Sequence, residues 1–147
     1  EHWRLFTDVE ACWTELQMHG IEIGLASNFD SRLNSIVTEL APISNADYLF
    51  CSSQVGFRKP SPLFFQQVRS AIECINPQSK EDLSIFMVGD DFQNDCVAPR
   101  LAGWEAVWLN RRMPIGSETN FGATNKREVT SLYEFTQWVL AHLGYTR

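Results

Sequence analysis

Apolar and polar positions along this chain alternate in blocks of two kinds. Phe6, Val9, Trp13 and Leu16 recur at helical spacing, so the first segment predicts an amphipathic helix ending near Gly20. The run Ile21-Glu22-Ile23-Gly24-Leu25-Ala26 stops at Ser27-Asn28; it is too short for a helix and predicts a buried strand. Leu33, Ile36, Val37 and Leu40 then follow helical spacing, with Asp30 or Ser31 available as N-cap and Pro42 at the end. Tyr48 to Cys51 predicts a second strand and Ser52 to Pro60 a loop. Ser61 and Pro62 open a further helix, proline being well placed at the first position, with Phe64, Phe65, Val68, Ala71 and Ile72 on its inner face. A polar connection from Asn76 to Asp82 leads to a third strand, Ile85 to Val88, ending at Gly89-Asp90. A helix is expected over Asn94 to Ala102, stopped by Gly103, and a fourth strand over Ala106 to Leu109. Met113 to Asn125 reads as a loop rich in Gly, Ser, Thr and Asn. Ser131-x-x-Glu134 is a capping-box pattern before a last helix with Phe135, Val139 and Leu143 inward.

Helices and strands thus alternate, and the strands are short and continuously apolar. That is the pattern of strands covered on both faces. The expected fold is an α/β layered domain, a mostly parallel sheet with helices on both faces. Ligands of such sheets bind in the crevice beyond the carboxyl ends of the strands, so polar residues just after the apolar runs are the ones to inspect.

Composition narrows the function classes. The 147 residues are one domain's worth of chain. Twelve Lys+Arg against eighteen Asp+Glu give a net charge of −6, which argues against a general nucleic-acid binder. No apolar run approaches the roughly 18 residues of a membrane span, and the first residues lack a signal-peptide layout. The four cysteines stand far apart without a C-x-x-C pair, so reduced, mostly buried thiols and an intracellular, cytoplasmic setting are expected. His2, His19 and His142 are scattered and suggest no metal site, and Trp13, Trp104, Trp108 and Trp138 read as packing residues.

Three polar groups follow apolar runs: Ser27-Asn28, Lys59, and Asp90-Asp91 with Asn94-Asp95. Singly, each has an ordinary explanation. A serine after a strand is usually a turn or cap residue, a loop lysine is usually solvated, and Asp90 or Asp91 could cap a helix. Together they form a set that phosphoryl transfer needs. A hydroxyl and amides hold phosphate oxygens, a lysine offsets charge, and clustered carboxylates hold a hard cation such as Mg²⁺.

Here the sequence resembles a family. Leu25-Ala26-Ser27-Asn28-Phe29-Asp30, Gly56-Phe57-Arg58-Lys59-Pro60-Ser61-Pro62-x-x-Phe65 and Val88-Gly89-Asp90-Asp91-x-x-Asn94-Asp95 are similar to the second, third and fourth motifs of the haloacid dehalogenase-like (HAD) hydrolases. The resemblance runs from about Trp3 to Leu143. It implies that Ser27 bonds a phosphoryl oxygen, with contacts from Asn28. Lys59 would steady the nucleophile and the phosphoryl group. Asp90 would bind Mg²⁺, and Asp95 would act on the metal, directly or through water, and on Lys59; Asp91 ranks lower. It further implies a phosphatase working on a small phosphorylated substrate through an aspartyl-phosphate intermediate; dehalogenases of the superfamily do without the metal.

The first motif of that family, an Asp-x-Asp on the first strand, has no counterpart in this sequence. With a start at Glu1 and only a predicted helix before the Ser27 strand, residues 1–147 are expected to be the C-terminal part of a single HAD-like core domain, without first strand or cap. The missing strand would lie between those ending at Ser27 and Asp90, leaving a gap with two exposed edges. The chain alone is then expected to be inactive. The alternative is a non-catalytic HAD-like module that binds phosphate or a protein partner. An unrelated receiver- or flavodoxin-type domain fits less well, since no phosphate-accepting Asp stands in the required order.

Overall fold

In the computed structural model, residues 3–77, 80–112 and 127–145 are described; the Met113–Asn125 loop and part of the Asn76–Asp82 connection lie outside them. Helix α1 spans Val9–Met18, and strand β1 spans Gly24–Ser27. Helix α2 spans Arg32–Thr38, and a 3₁₀ turn at Ile43–Asn45 leads to strand β2, Tyr48–Cys51. A four-residue helix α3, Ser52–Val55, occupies what the sequence suggested was loop; it ends at Gly56, whose φ of 87° is a left-handed value. Helix α4 spans Pro62–Ile75 and β3 spans Phe86–Gly89. A π-helix, Phe92–Val97, runs into a short α5, Ala98–Leu101. Strands β4, Glu105–Leu109, and β5, Glu128–Val129, precede α6, Leu132–His142.

The expected single helix over Asn94–Ala102 is therefore two elements, starting two residues earlier and opening in π geometry. Helical spacing of apolar residues does not distinguish the two, because one inserted residue widens a turn without changing its composition. Strand β1 begins three residues later than its apolar run. Before it, Asp47 accepts a hydrogen bond from the Ile23 amide on Oδ2 (2.8 Å) and donates its own amide to the Ile23 carbonyl (2.8 Å), a side-chain bridge in place of a ladder. Phe6 lies outside α1 and is 65% exposed beneath the Arg111 guanidinium, 4.1 Å from its ring centre. Leu143 is 41% exposed, and Leu140 takes the inward position beside Val139.

All the strands are parallel, and they form two sheets, β1–β2 and β3–β4–β5. Among the described residues no ladder joins β1 to β3. This is the gap expected from the resemblance. Side chains alternate across the strands as the pleat requires. Met87 and Ala106 face one core with Phe64, Phe65, Val68 and Ile72 of α4, and Ala26 and Phe50 of the other sheet pack against it. Phe86, Val88, Val107 and Leu109 face the opposite core, with Cys12 and Leu16 of α1 and Phe135 and Val139 of α6. Helices thus cover both faces, and α4 packs against both sheets at once.

Local signals explain the helix starts. Ser61 accepts a hydrogen bond from the Leu63 amide at the head of α4, with Pro62 next to it. Ser131 accepts one from the Glu134 amide, but the Glu134 carboxylate reaches Thr130, at its amide and its hydroxyl (both 2.8 Å), so the capping box closes one residue early. Cys12, Cys51 and Cys96 are buried free thiols, and burial pushes the Cys12 and Cys96 thiols up from their ordinary value.

Candidate active site

Strands β1 and β3 are not paired, and Lys59 links the end of β1 to Asp95 after β3. Lys59 follows Gly56 in the loop before α4 and turns back into the protein, where it is only 7% exposed. A buried ammonium needs partners. Its Nζ donates to the carbonyl of Ala26 on β1 (3.2 Å) and to Oδ1 of Asp95 in the π-helix, in a close ion pair. Asp95 is 5% exposed, and its Oδ2 accepts the Asp91 amide (3.1 Å). One side chain thus ties the β1 sheet to the segment after β3.

Asn28 fixes the Lys59 backbone. Its Nδ2 donates to the Lys59 carbonyl (2.9 Å) and its Oδ1 accepts from the Lys59 amide (2.8 Å). The side-chain amide imitates a neighbouring strand and pins the loop to the end of β1. The sequence reading expected Asn28 to contact the phosphoryl group; in the structure both ends of its side-chain amide are taken up by the Lys59 backbone, so it places Lys59. Ser27 is the last residue of β1, partly buried at the same opening.

Clearance matters as much as contact. A Cβ on Gly89 would collide with the Asp95 carboxylate and stand 2.6 Å from its Cβ. Only glycine lets the end of β3 pass so close to Asp95. The π turn then brings the Asp95 amide onto the Asp91 carbonyl (2.8 Å), while Asp91 Oδ1 caps the Asn94 amide (2.8 Å). Asp91 is thus a cap, in keeping with its lower rank. The Asp90 carbonyl accepts a hydrogen bond from the Trp108 indole (2.9 Å), and Phe92 packs edge-on against that ring (5.4 Å). Trp108, read from the sequence as a packing residue, braces the Asp90 turn; Gly89 went unnoticed because its value is the atom it lacks.

Among the described residues, no three His, Cys, Asp or Glu side chains gather to hold a metal ion. Both Asp95 oxygens are engaged, whereas the Asp90 side chain is exposed at the strand end. Mg²⁺ keeps several waters and takes only one or two carboxylates plus phosphate oxygens. The donor set fits that ion, with Asp90 as the available oxygen ligand and Asp95 behind it.

No protein-family model matches the chain. It is 30% identical over 113 residues to haloacid dehalogenase-like hydrolase domain-containing protein 3 of Danio rerio, a match covering 76% of this chain and 44% of that protein. The chain therefore spans less than half the length of this relative. Its fold matches the HAD phosphatase of Thermococcus onnurineus with a TM-score of 0.70 at 21% identity, covering 92% of this chain and 58% of the other. It also matches the putative HAD-hydrolase YfnB of Bacillus subtilis, determined bound to magnesium, with a TM-score of 0.71 at 19% identity, covering 92% and 56%. No described helix is long and apolar enough to cross a membrane. The motifs, the parallel strands that carry them and these likenesses together make the chain similar to the haloacid dehalogenase-like hydrolases, in sequence and in fold.

Proposed function

We propose that residues 1–147 form the C-terminal part of a HAD-like core and supply the phosphate-binding and charge-neutralising half of a Mg²⁺-dependent phosphatase acting on a small phosphorylated substrate. The buried Lys59–Asp95 pair at the unpaired ends of β1 and β3 carries this reading. An ammonium has three N–H donors. Two of those on Lys59 are directed at Asp95 and Ala26, leaving one for a phosphoryl oxygen. Ser27 supplies a hydroxyl to the same group. Asp90 would hold the Mg²⁺, which when bound offsets negative charge on the phosphoryl oxygens. Asp95 holds the Lys59 ammonium aimed.

The reaction proceeds, in this proposal, through an aspartyl phosphate. The sequence has no Asp-x-Asp, the motif that the resemblance assigns to the nucleophile. The isolated chain is therefore a binder of phosphate and not a catalyst. The test is calorimetric titration of the chain with inorganic phosphate, with and without Mg²⁺, beside an assay of p-nitrophenyl phosphate turnover. Phosphate binding that strengthens with Mg²⁺ and weakens about tenfold or more in Ser27→Ala and Asp90→Asn is expected, with no turnover. Absence of phosphate binding overturns the assignment of the site. Turnover by the purified chain overturns its inactivity.

A further inference from the structure

Beside the candidate site, at the ends of β1 and β2, lies an open cleft of about 410 Å³. It shares Asn28 with that site and is walled by Phe29 and Phe57, with Ser53 and Arg58 also lining it. Trp3 meets the Phe29 ring edge-on at 6.2 Å.

The charges of the cleft are not equivalent. Arg32 is spent locally: its Nε donates to both Asp30 oxygens (2.9 and 3.0 Å), and its guanidinium lies 5.4 Å from the centre of the Phe29 ring. Arg58 is exposed, and its guanidinium makes no ion pair or hydrogen bond among the described residues, its carbonyl alone accepting from the Ser61 amide (2.9 Å). It is the neighbour of Lys59, and the two point apart, Lys59 into the buried pair and Arg58 onto the cleft. An aromatic wall ending in one uncompensated guanidinium and a serine hydroxyl is a receptor for a flat apolar body that carries a single anionic group. A phosphate dianion would need more positive charge than the unpaired Arg58 guanidinium that lines the cleft among the described residues, with the Asp30 carboxylate on the same wall.

We infer that this cleft is a leaving-group subsite, and that the substrate class is a phosphate monoester whose leaving group has an apolar, planar body ending in a carboxylate. The inference rests on the phosphatase reading for the phosphoryl end and on the cleft alone for the other. Arg58 would fork onto the carboxylate, Phe29 and Phe57 would flank the body, and the phosphoryl group would lie at Ser27 and Lys59.

Three non-hydrolysable probes separate the two ends by heteronuclear NMR titration of the chain. Benzylphosphonate carries the phosphonate and ring, 4-carboxybenzylphosphonate adds the carboxylate, and 4-methylbenzoate has ring and carboxylate only. The carboxylated phosphonate should bind about tenfold more tightly than benzylphosphonate, and Arg58→Gln should erase that advantage without changing benzylphosphonate affinity. Shifts with 4-methylbenzoate should centre on Phe29, Ser53 and Phe57 and vanish in Arg58→Gln. Equal affinities for the two phosphonates, or an advantage that survives Arg58→Gln, would overturn the subsite. Should the phosphonates bind no better than 4-methylbenzoate while the Arg58-dependent shifts persist, the subsite stands and the phosphoryl site falls.

Discussion

Removing the Lys59 ammonium would leave the Asp95 carboxylate buried and unpaired. Breaking such a pair from one side costs about 3–5 kcal/mol, whereas replacing both partners with apolar groups can be nearly neutral. Lys59→Met should therefore be much less stable than Lys59→Met/Asp95→Leu, a double-mutant cycle readable by urea unfolding. Additive losses would mean that the two groups do not rely on each other. Gly89→Ala has the opposite origin, an added atom. Its methyl group would push the Asp95 carboxylate aside, so it should reduce phosphate affinity and stability together, by more than about 1–3 kcal/mol of ordinary overpacking, because the displaced group is charged. A Gly89→Ala chain that binds phosphate like the parent would show that Asp95 can move freely. At this scale Ser27, Asn28, Lys59, Asp90 and Asp95 were legible as residue types after strands. The resemblance also implied that Asp95 acts on Lys59, as the buried pair shows, but not that Asn28 holds the Lys59 backbone, which depends on a contact across 31 residues of sequence.

Between elements, Asp8 does the most joining. It sits before α1 yet does not cap it; its carboxylate, on a residue 3% exposed, accepts two hydrogen bonds from Arg111 (2.8 and 3.0 Å) and one from the Leu132 amide at the start of α6 (2.8 Å). Burial alone would raise its pKa, but the Arg111 and Leu132 hydrogen bonds outweigh it, so the folded value lies below the ordinary one. The sign follows from linkage. With the folded value depressed, the stability this group contributes is present above the unfolded value near 4 and is lost as pH falls through the folded value. Asp8→Asn should cost about 2 kcal/mol at pH 7, and its gap from the parent should close as pH falls through the depressed folded value. Thermal unfolding across that range checks it; a gap independent of pH would assign the loss to packing. The short segments were the least legible elements. The π turn of Phe92–Val97 is set by the Lys59–Asp95 pairing and the Asp91 cap, and a two-residue strand such as β5 has no period to read.

At the scale of the whole molecule, the two sheets share no ladder among the described residues, and α4 and the Lys59–Asp95 ion pair reach across both. Phe65 of α4, 1% exposed, packs edge-on against Trp104 (5.1 Å) within the core that both sheets border. Phe65→Ala should cost about 3–5 kcal/mol and should speed amide exchange in β1 and β2 more than in β3 and β4. Equal effects on both sheets would mean that they open as one unit. Slow exchange is expected where ladders exist, at Phe86–Gly89 against Glu105–Trp108, and fast exchange at the unpaired edges of β1 and β3.

Apolar periodicity by itself pointed to parallel strands between helices and to the side of α4 that turns inward, and both appear in the structure. The expected burial on both faces holds for β3 and β4, which border both cores, whereas β1 has no buried residue and β2 only Cys51. Three ordered motifs likewise pointed to the superfamily. Only the tertiary structure decided what happens between the ends of β1 and β3. There Gly89 makes room for Asp95, Trp108 braces the Asp90 turn, and Arg58 is left facing an aromatic cleft. Clearance, a ring contact and an unspent charge are relations between residues far apart in the chain, and no local pattern encodes them.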